Sequence, residues 1–294
     1  MREAEQLQFA GLAHLMHNAG TYLYRREIGA MTDCKPACRS ILTAALAVFF
    51  TSGIAQADSN RLTHKKLDLV SSLGSERVDM MICLAADVSE SVTSMEYDLQ
   101  KQGHAAAISD PRVVDIIQGG LRRKVAAIYV EWADQDQQFL AADWHIIEDQ
   151  ASADRFGESI QNSPSPPWID WSVRNTSTSE VVRYCLNQFE NSPGHSMRRV
   201  IDISSDGTNN VGRRVDGVRD LAVSQGVVIN VLAIEDSKDP FPDGTHTRPI
   251  EGLVSYFKNN VAGGTGSFVH AASGYSSFGE MIRKKFILEL ASVR

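Results

Sequence analysis

Met80-Met81-Ile82-Cys83-Leu84-Ala85-Ala86 runs directly into Asp87-Val88-Ser89-Glu90-Ser91, and the reading of this junction decides the fold. The unbroken apolar run reads as a strand buried on both faces. One carboxylate and two hydroxyls stand just beyond it, where the strand ends and a helix should begin. A set of hard oxygens with no His or Cys among them suits Mg²⁺ better than zinc.

Outward from this junction, strands and helices alternate. Lys124–Trp132, Val200–Ile203, Gly226–Ile234 and Ser267–His270 read as further strands, and Phe139–Ile147 as an antiparallel edge strand. Helical patterns fall at Tyr97–Ile108, Asp149–Ile160, Ser179–Phe189, Val215–Gln225 and Ile250–Val261. A last helix, from Ser276 or Ser277, has Phe278, Met281, Ile282, Phe286 and Leu290 on one face. This alternation predicts an α/β fold, a doubly wound and mostly parallel sheet with helices on both faces. With the common strand order 3-2-1-4-5-6, the strands at 80–86 and 200–203 are neighbours at the switch point, where ligands bind beyond the strands' carboxyl ends.

The first part of the chain has a different character. Lys35 and Arg39 precede the apolar run Ile41–Phe50, and Ala55-Gln56-Ala57 follows as a small-residue cleavage pattern. That order is the signature of a secretory signal peptide cleaved after Ala57. The run is shorter than the roughly 20 residues a membrane span needs. The expected organisation is a leader and signal over 1–57, a polar lead-in over 58–76 and one domain over 77–294. Translation starts at Met1 or at Met31; the residues leave both open. The expected location is periplasmic or secreted, with no stable membrane anchor after cleavage. A formal net charge of −7 argues against nucleic acid or an anionic membrane as partner. Cys83 and Cys185 remain after cleavage. An exported protein can join them as a disulfide, but both positions look like core, where free thiols pack well, and two buried thiols are the expectation.

A second acid completes the picture at the sheet's rim. Asp206, in Ser204-Ser205-Asp206-Gly207-Thr208, follows the strand at 200–203 and should face Asp87 across the crevice. Two close carboxylates repel, and a divalent cation relieves the repulsion. Thr176, in Arg174-Asn175-Thr176-Ser177-Thr178, offers a hydroxyl from a third loop, with Ser177 and Thr178 as alternatives. Plainer roles exist for each residue. Ser89 or Ser91 can cap the next helix, and Asp206-Gly207 can be a turn. Asp202, in a buried strand, needs a partner, expected to be an Arg or Lys from a flanking helix. Trp168 and Trp171 either form an aromatic contact face or pack their loop onto the core. Phosphate-loop, nucleophile-elbow and zinc-protease motifs are absent from the sequence.

Asp87-Val88-Ser89-Glu90-Ser91, Thr176 and Asp206-Gly207, in this order, resemble the metal-ion-dependent adhesion site of von Willebrand factor A domains, whose pattern is D-x-S-x-S, a distant Thr and a distant Asp. Val130-Glu131-Trp132 and Val200–Gly207 make the chain similar to an exported bacterial family of that fold whose role is not established. The resemblance spans residues 77–291. It departs at Arg174-Asn175, where such domains often carry Gly-Gly. It implies a Mg²⁺ site (or one for Mn²⁺ or Ca²⁺) formed by Asp87, Ser89, Ser91, Thr176 and Asp206. It further implies a non-enzymatic adhesion module whose protein partner offers a carboxylate. The alternatives are a metal-dependent hydrolase using the same residues, or a scaffold that kept the fold and lost the ion.

Overall fold

The computed structural model describes residues 76–168, 175–235 and 249–291. The segment expected to be leader and signal peptide, most of the expected lead-in, Trp171 and Arg174 lie outside the described residues. In chain order the elements are β1 (Glu76–Arg77), β2 (Met80–Asp87), α1 (Ser94–Ile108), α2 (Pro111–Gln118), β3 (Val125–Trp132) and β4 (Gln138–Ile147). Then come α3 (Gln150–Gln161), α4 (Thr178–Phe189), β5 (Gly194–His195), β6 (Arg199–Ser205), α5 (Val215–Ser224) and β7 (Val227–Ile234). The last are α6 (Leu253–Asn260), β8 (Val269–Ala272), a 3₁₀ turn at Tyr275–Ser277 and α7 (Phe278–Ala291).

The main sheet runs β4-β3-β2-β6-β7-β8. Counted within this sheet in chain order, that is 3-2-1-4-5-6. Its strands pair in parallel except β4, which is antiparallel to β3 at the edge. β1 and β5 form a separate parallel pair, which the sequence pattern did not suggest.

Burial follows from composition. Every residue of β2 and of β3 is buried, as expected of strands covered on both faces. One face packs Met80, Ile82, Leu84 and Tyr129 against α1, α2, α3 and α7. The other packs Cys83, Ala85, Ile128 and Ile201 against α4, α5 and α6. β2 and β6 are adjacent, with Cys83 opposite Ile201 and Ala86 opposite Ser204. The ends that carry Asp87 and Asp206 therefore leave the sheet side by side.

Asp202 finds the predicted kind of partner. Lys285 of α7 reaches its carboxylate, and both side chains are inaccessible to solvent. The two cysteines differ from the expectation of free thiols. Cys83 in β2 and Cys185 in α4 are joined as a disulfide, with Cα atoms 5.9 Å apart, inside the range a bridge requires. A sequence separation of 102 says nothing about distance in space, so only the packing of α4 over β2 could reveal the pair.

Several element limits moved, and two have a plain physical cause. The last strand is Val269–Ala272, two residues later than predicted, because a four-residue strand takes its register from its neighbour: Val269 pairs with Val231 of β7. α6 begins at Leu253 after Gly252, whose φ of 83° breaks the helix geometry that Ile250 would have extended.

Candidate metal centre

Asp87 is the last residue of β2 and fully buried. Its Oδ1 accepts the Ser89 backbone N–H at 2.9 Å, a local turn that short acidic side chains favour. Its Oδ2 accepts the Ser205 hydroxyl at 2.5 Å. Its backbone carbonyl accepts Gln100 Nε2 at 2.8 Å, which ties the strand end to α1.

The serines after it do not cap the helix. Thr93 is the N-cap of α1 and forms a capping box with Glu96, satisfying the helix's first N–H groups. That leaves the Ser89 and Ser91 hydroxyls turned elsewhere. Their oxygens are 3.3 Å apart. Ser91 Oγ donates to Asp206 Oδ1 at 2.6 Å, and Thr176 Oγ1 donates to Ser89 Oγ at 3.2 Å. All five predicted residues are thus brought into one hydrogen-bonded cluster at the carboxyl ends of β2 and β6.

Thr176 is singled out from its neighbours by geometry. Ser177 Oγ donates away from the cluster, to the Val211 carbonyl at 3.1 Å, and Thr178 Oγ1 is buried without joining it. The Thr176 loop is clamped from two sides. Asn210 Oδ1 accepts the Thr176 N–H at 2.8 Å, and the Asn210 N–H returns a bond to the Thr176 carbonyl at 3.0 Å. Asn175 Nδ2 donates to Asp134 Oδ2 at 2.7 Å, so Asn175, part of the departure from Gly-Gly, is held by its own bond. Asn209 Oδ1 accepts the Ser179 N–H at 2.9 Å and satisfies a donor in the first turn of α4. Gly207 passes so near Thr176 that a Cβ there would sit 3.3 Å from Thr176 Oγ1.

Electrostatics mark the cluster as short of positive charge. Burial, and next the charge of Asp206, raise the Asp87 carboxyl above its usual range, against hydrogen bonds from Ser205 and Ser89 that lower it. Asp206 is raised too, chiefly by loss of solvent. Among the described residues neither acid forms an ion pair with Lys or Arg. Tyr275, which the sequence did not flag, lies near both acids: burial, then the charges of Asp206 and Asp87, push its phenol well up. Ser205, Asn209 and Asn210 were likewise missed as residues that hold the cluster. Two carboxylates and three hydroxyls fit a hard divalent cation, which the acids' mutual repulsion favours. Among the described residues, no group of three or more His, Cys, Asp or Glu side chains is arranged to hold a metal, so the candidate set depends on its hydroxyls.

Glu131 is buried at the end of β3, and its Oε2 accepts the Tyr97 hydroxyl at 3.0 Å. Burial pushes it up to about 7. It lies on the strand face that Tyr129 shares with α1, opposite in pleat to Trp132, which pairs with Asp87. Trp168 packs against the core cluster on the α1 side.

The family described as "Protein of unknown function (DUF1194)" matches residues 77–294. Curated proteins give no match. Among solved structures, the chain is similar to the pilus adhesin SpaC from Lactobacillus rhamnosus GG, at 11% identity and TM-score 0.49, over 72% of this chain and 31% of that one. It is similar to proximal thread matrix protein 1 from the mussel byssus with a zinc-occupied MIDAS motif, at 15% identity and TM-score 0.46, over 74% of this chain and 49% of that one. It is also similar to the vWF domain of the type V pili tip protein Mfa5 from Porphyromonas gingivalis, at 12% identity and TM-score 0.43, over 71% of this chain and 95% of that one. The chain thus spans half or less of the first two of these proteins.

Proposed function

We propose, from the premise that this chain belongs over residues 77–294 to the DUF1194 family of proteins of unknown function, that it is an exported protein-binding module dependent on a divalent cation of the Mg²⁺ type. The observation that carries this reading is the convergence of Asp87, Ser89, Ser91, Thr176 and Asp206 from three distant segments onto one hydrogen-bonded cluster.

Asp87 and Asp206 would supply the negative charge, and Ser89, Ser91 and Thr176 the neutral oxygens. Mg²⁺ is the first choice and Mn²⁺ or Ca²⁺ the substitutes. Bound there, the ion would supply a Lewis-acidic position for a carboxylate on a partner protein. Neutral hydroxyls leave an ion more electrophilic than a shell of carboxylates would. Ser89 is buried while Ser91 and Asp206 are partly exposed, so the cluster is sheltered on the Ser89 side and reachable from the rim. Glu131, the buried acid at the end of β3, faces the other side of the sheet and so does not serve as a general base at the cluster. Export is supported by the leader's pattern and by the Cys83–Cys185 bridge, since such bonds persist in oxidising compartments.

The test is affinity capture of envelope proteins by the full chain, in Mg²⁺ and in chelator, beside Asp206→Ala. Capture of a defined partner in Mg²⁺, lost in chelator and in the variant, is the expected result. Capture indifferent to both contradicts the reading. Mg²⁺-dependent phosphoester turnover lost in Asp206→Ala would replace it with a hydrolase.

A further inference from the structure

On the sheet face covered by α7, Lys285, Asp202 and Glu289 lie close together away from solvent. Lys285 Nζ meets Asp202 Oδ1, and neither side chain is accessible to solvent. The same Nζ lies 3.3 Å from the Ile203 carbonyl oxygen. Glu289 stands one helical turn further along α7 and is 1% exposed. Its Oε1 accepts Asn230 Nδ2 at 2.9 Å, and Asn230 is the residue directly beside Asp202 in the β6–β7 register. An amine, a carboxyl and a second carboxyl are thereby held together between β6, β7 and α7. Asp202 Oδ2 has no hydrogen-bond partner among the described residues.

We propose that Lys285 and Asp202 condense to an intramolecular isopeptide bond, with Glu289 carrying the proton. The neutral Nζ of Lys285 adds to Cγ of the protonated Asp202 carboxyl. A C–N bond forms and a C–OH bond breaks. Glu289 takes a proton from the nitrogen and returns one to the departing hydroxyl. The products are one secondary amide and one water; no electron is transferred and no outside reactant enters.

The surroundings favour this outcome over a plain ion pair. A buried charge pair must offset the desolvation of both ions, whereas an amide is neutral and needs only hydrogen bonds. The amide N–H would keep its direction toward the Ile203 carbonyl. Fixed contact between amine and carboxyl replaces a bimolecular encounter, the largest advantage an intramolecular reaction has. Burial also holds the Lys285 amine down to about 7, so its nucleophilic neutral form is accessible, and raises the carboxyl of Glu289, the proton carrier. The bond would tie the last helix to the strand whose end carries Asp206.

The experiment is mass spectrometry of the purified full chain, denatured and with its disulfide reduced, its N-terminus fixed by peptide mapping. The expected mass is that of the sequence less one water. Trypsin should fail to cut after Lys285, and fragment spectra should show the Asp202 peptide joined to the Lys285 peptide. Glu289→Gln should give chains of full mass, as should Asp202→Ala if it folds. A wild-type chain of full mass, cut normally at Lys285, overturns the proposal. Equal linkage in wild type and Glu289→Gln would leave the bond but overturn the role given to Glu289.

Discussion

Ser91 Oγ donates to Asp206 Oδ1 at 2.6 Å although 115 residues separate them. Thr176 closes the same cluster onto Ser89 from 87 residues away. A turn or a helix cap would need no such long-range partner, and the N-cap of α1 is Thr93. The hydroxyls converge because β2 and β6 are neighbours and because Asn210 clamps the Thr176 loop.

That clamp predicts a loss of metal affinity from a residue outside the donor set. Asn210→Ala removes the acceptor for the Thr176 N–H and frees the loop. A hydrogen bond of this kind contributes about 1 kcal/mol, so Mn²⁺ affinity should fall by somewhat less than tenfold. Calorimetry should read the change while circular dichroism stays that of the wild type. Unchanged affinity would mean that Asn210 does not position Thr176.

The disulfide should matter for stability. It closes a loop of about a hundred residues between β2 and α4, and such a crosslink stabilises by about 3–5 kcal/mol, mainly by restricting the unfolded chain. Cys83→Ala combined with Cys185→Ala should lower the urea midpoint accordingly, and a reducing agent should reproduce most of the loss. A midpoint indifferent to both treatments would show that the two thiols are not joined in solution.

His104 predicts a pH dependence. Its Nδ1 bonds the Gln100 carbonyl at 2.9 Å, and its ring meets Tyr129 and Phe278 at centroid distances of 5.0 and 5.1 Å. Burial lowers it from 6.5 to about 3 against the Gln100 bond. Between those values the unfolded chain takes a proton that the folded chain refuses, so this group's contribution to stability is lost as pH falls below about 6.5. Relative to His104→Gln, the wild type should lose about 2 kcal/mol between pH 7.5 and pH 5. Acids elsewhere cancel in that difference, and parallel curves for the two proteins would refute the assignment.

Gly103 predicts an overpacking penalty. A Cβ there would lie 2.6 Å from Phe278 Cδ1 and 3.2 Å from Gly279 Cα, where α1 and α7 cross. Gly103→Ala gains about 1 kcal/mol of helix propensity, yet the crowding should dominate at about 1–3 kcal/mol. Thermal denaturation should show net destabilisation. A raised midpoint would mean that α7 can shift freely.

Much of this molecule could be read from its residues, and the limits have physical causes. Runs such as Met80–Ala86 are apolar on both sides only when both sides are covered, so they identify central strands and the α/β class together. Asp87 and Asp206 were legible because each follows an apolar strand run, and neighbouring parallel strands bring their carboxyl ends to one rim. Ser205, Asn209 and Asn210 were not, because loop polar residues carry no periodic signal and their bonds depend on how two loops meet. The Cys83–Cys185 bridge was hidden for the same reason. Thr176 could be separated from Ser177 only by the direction of each hydroxyl, which the clamp sets and the sequence does not state.

The central claim is that these five side chains hold a divalent cation, and calorimetric titration of the full chain with Mg²⁺ and Mn²⁺ tests it most directly. The prediction is a single site in the wild type, abolished in Asp87→Ala and in Asp206→Ala while both variants keep the wild-type circular dichroism. A folded wild-type chain that takes up neither ion, or variants that bind as it does, would contradict it.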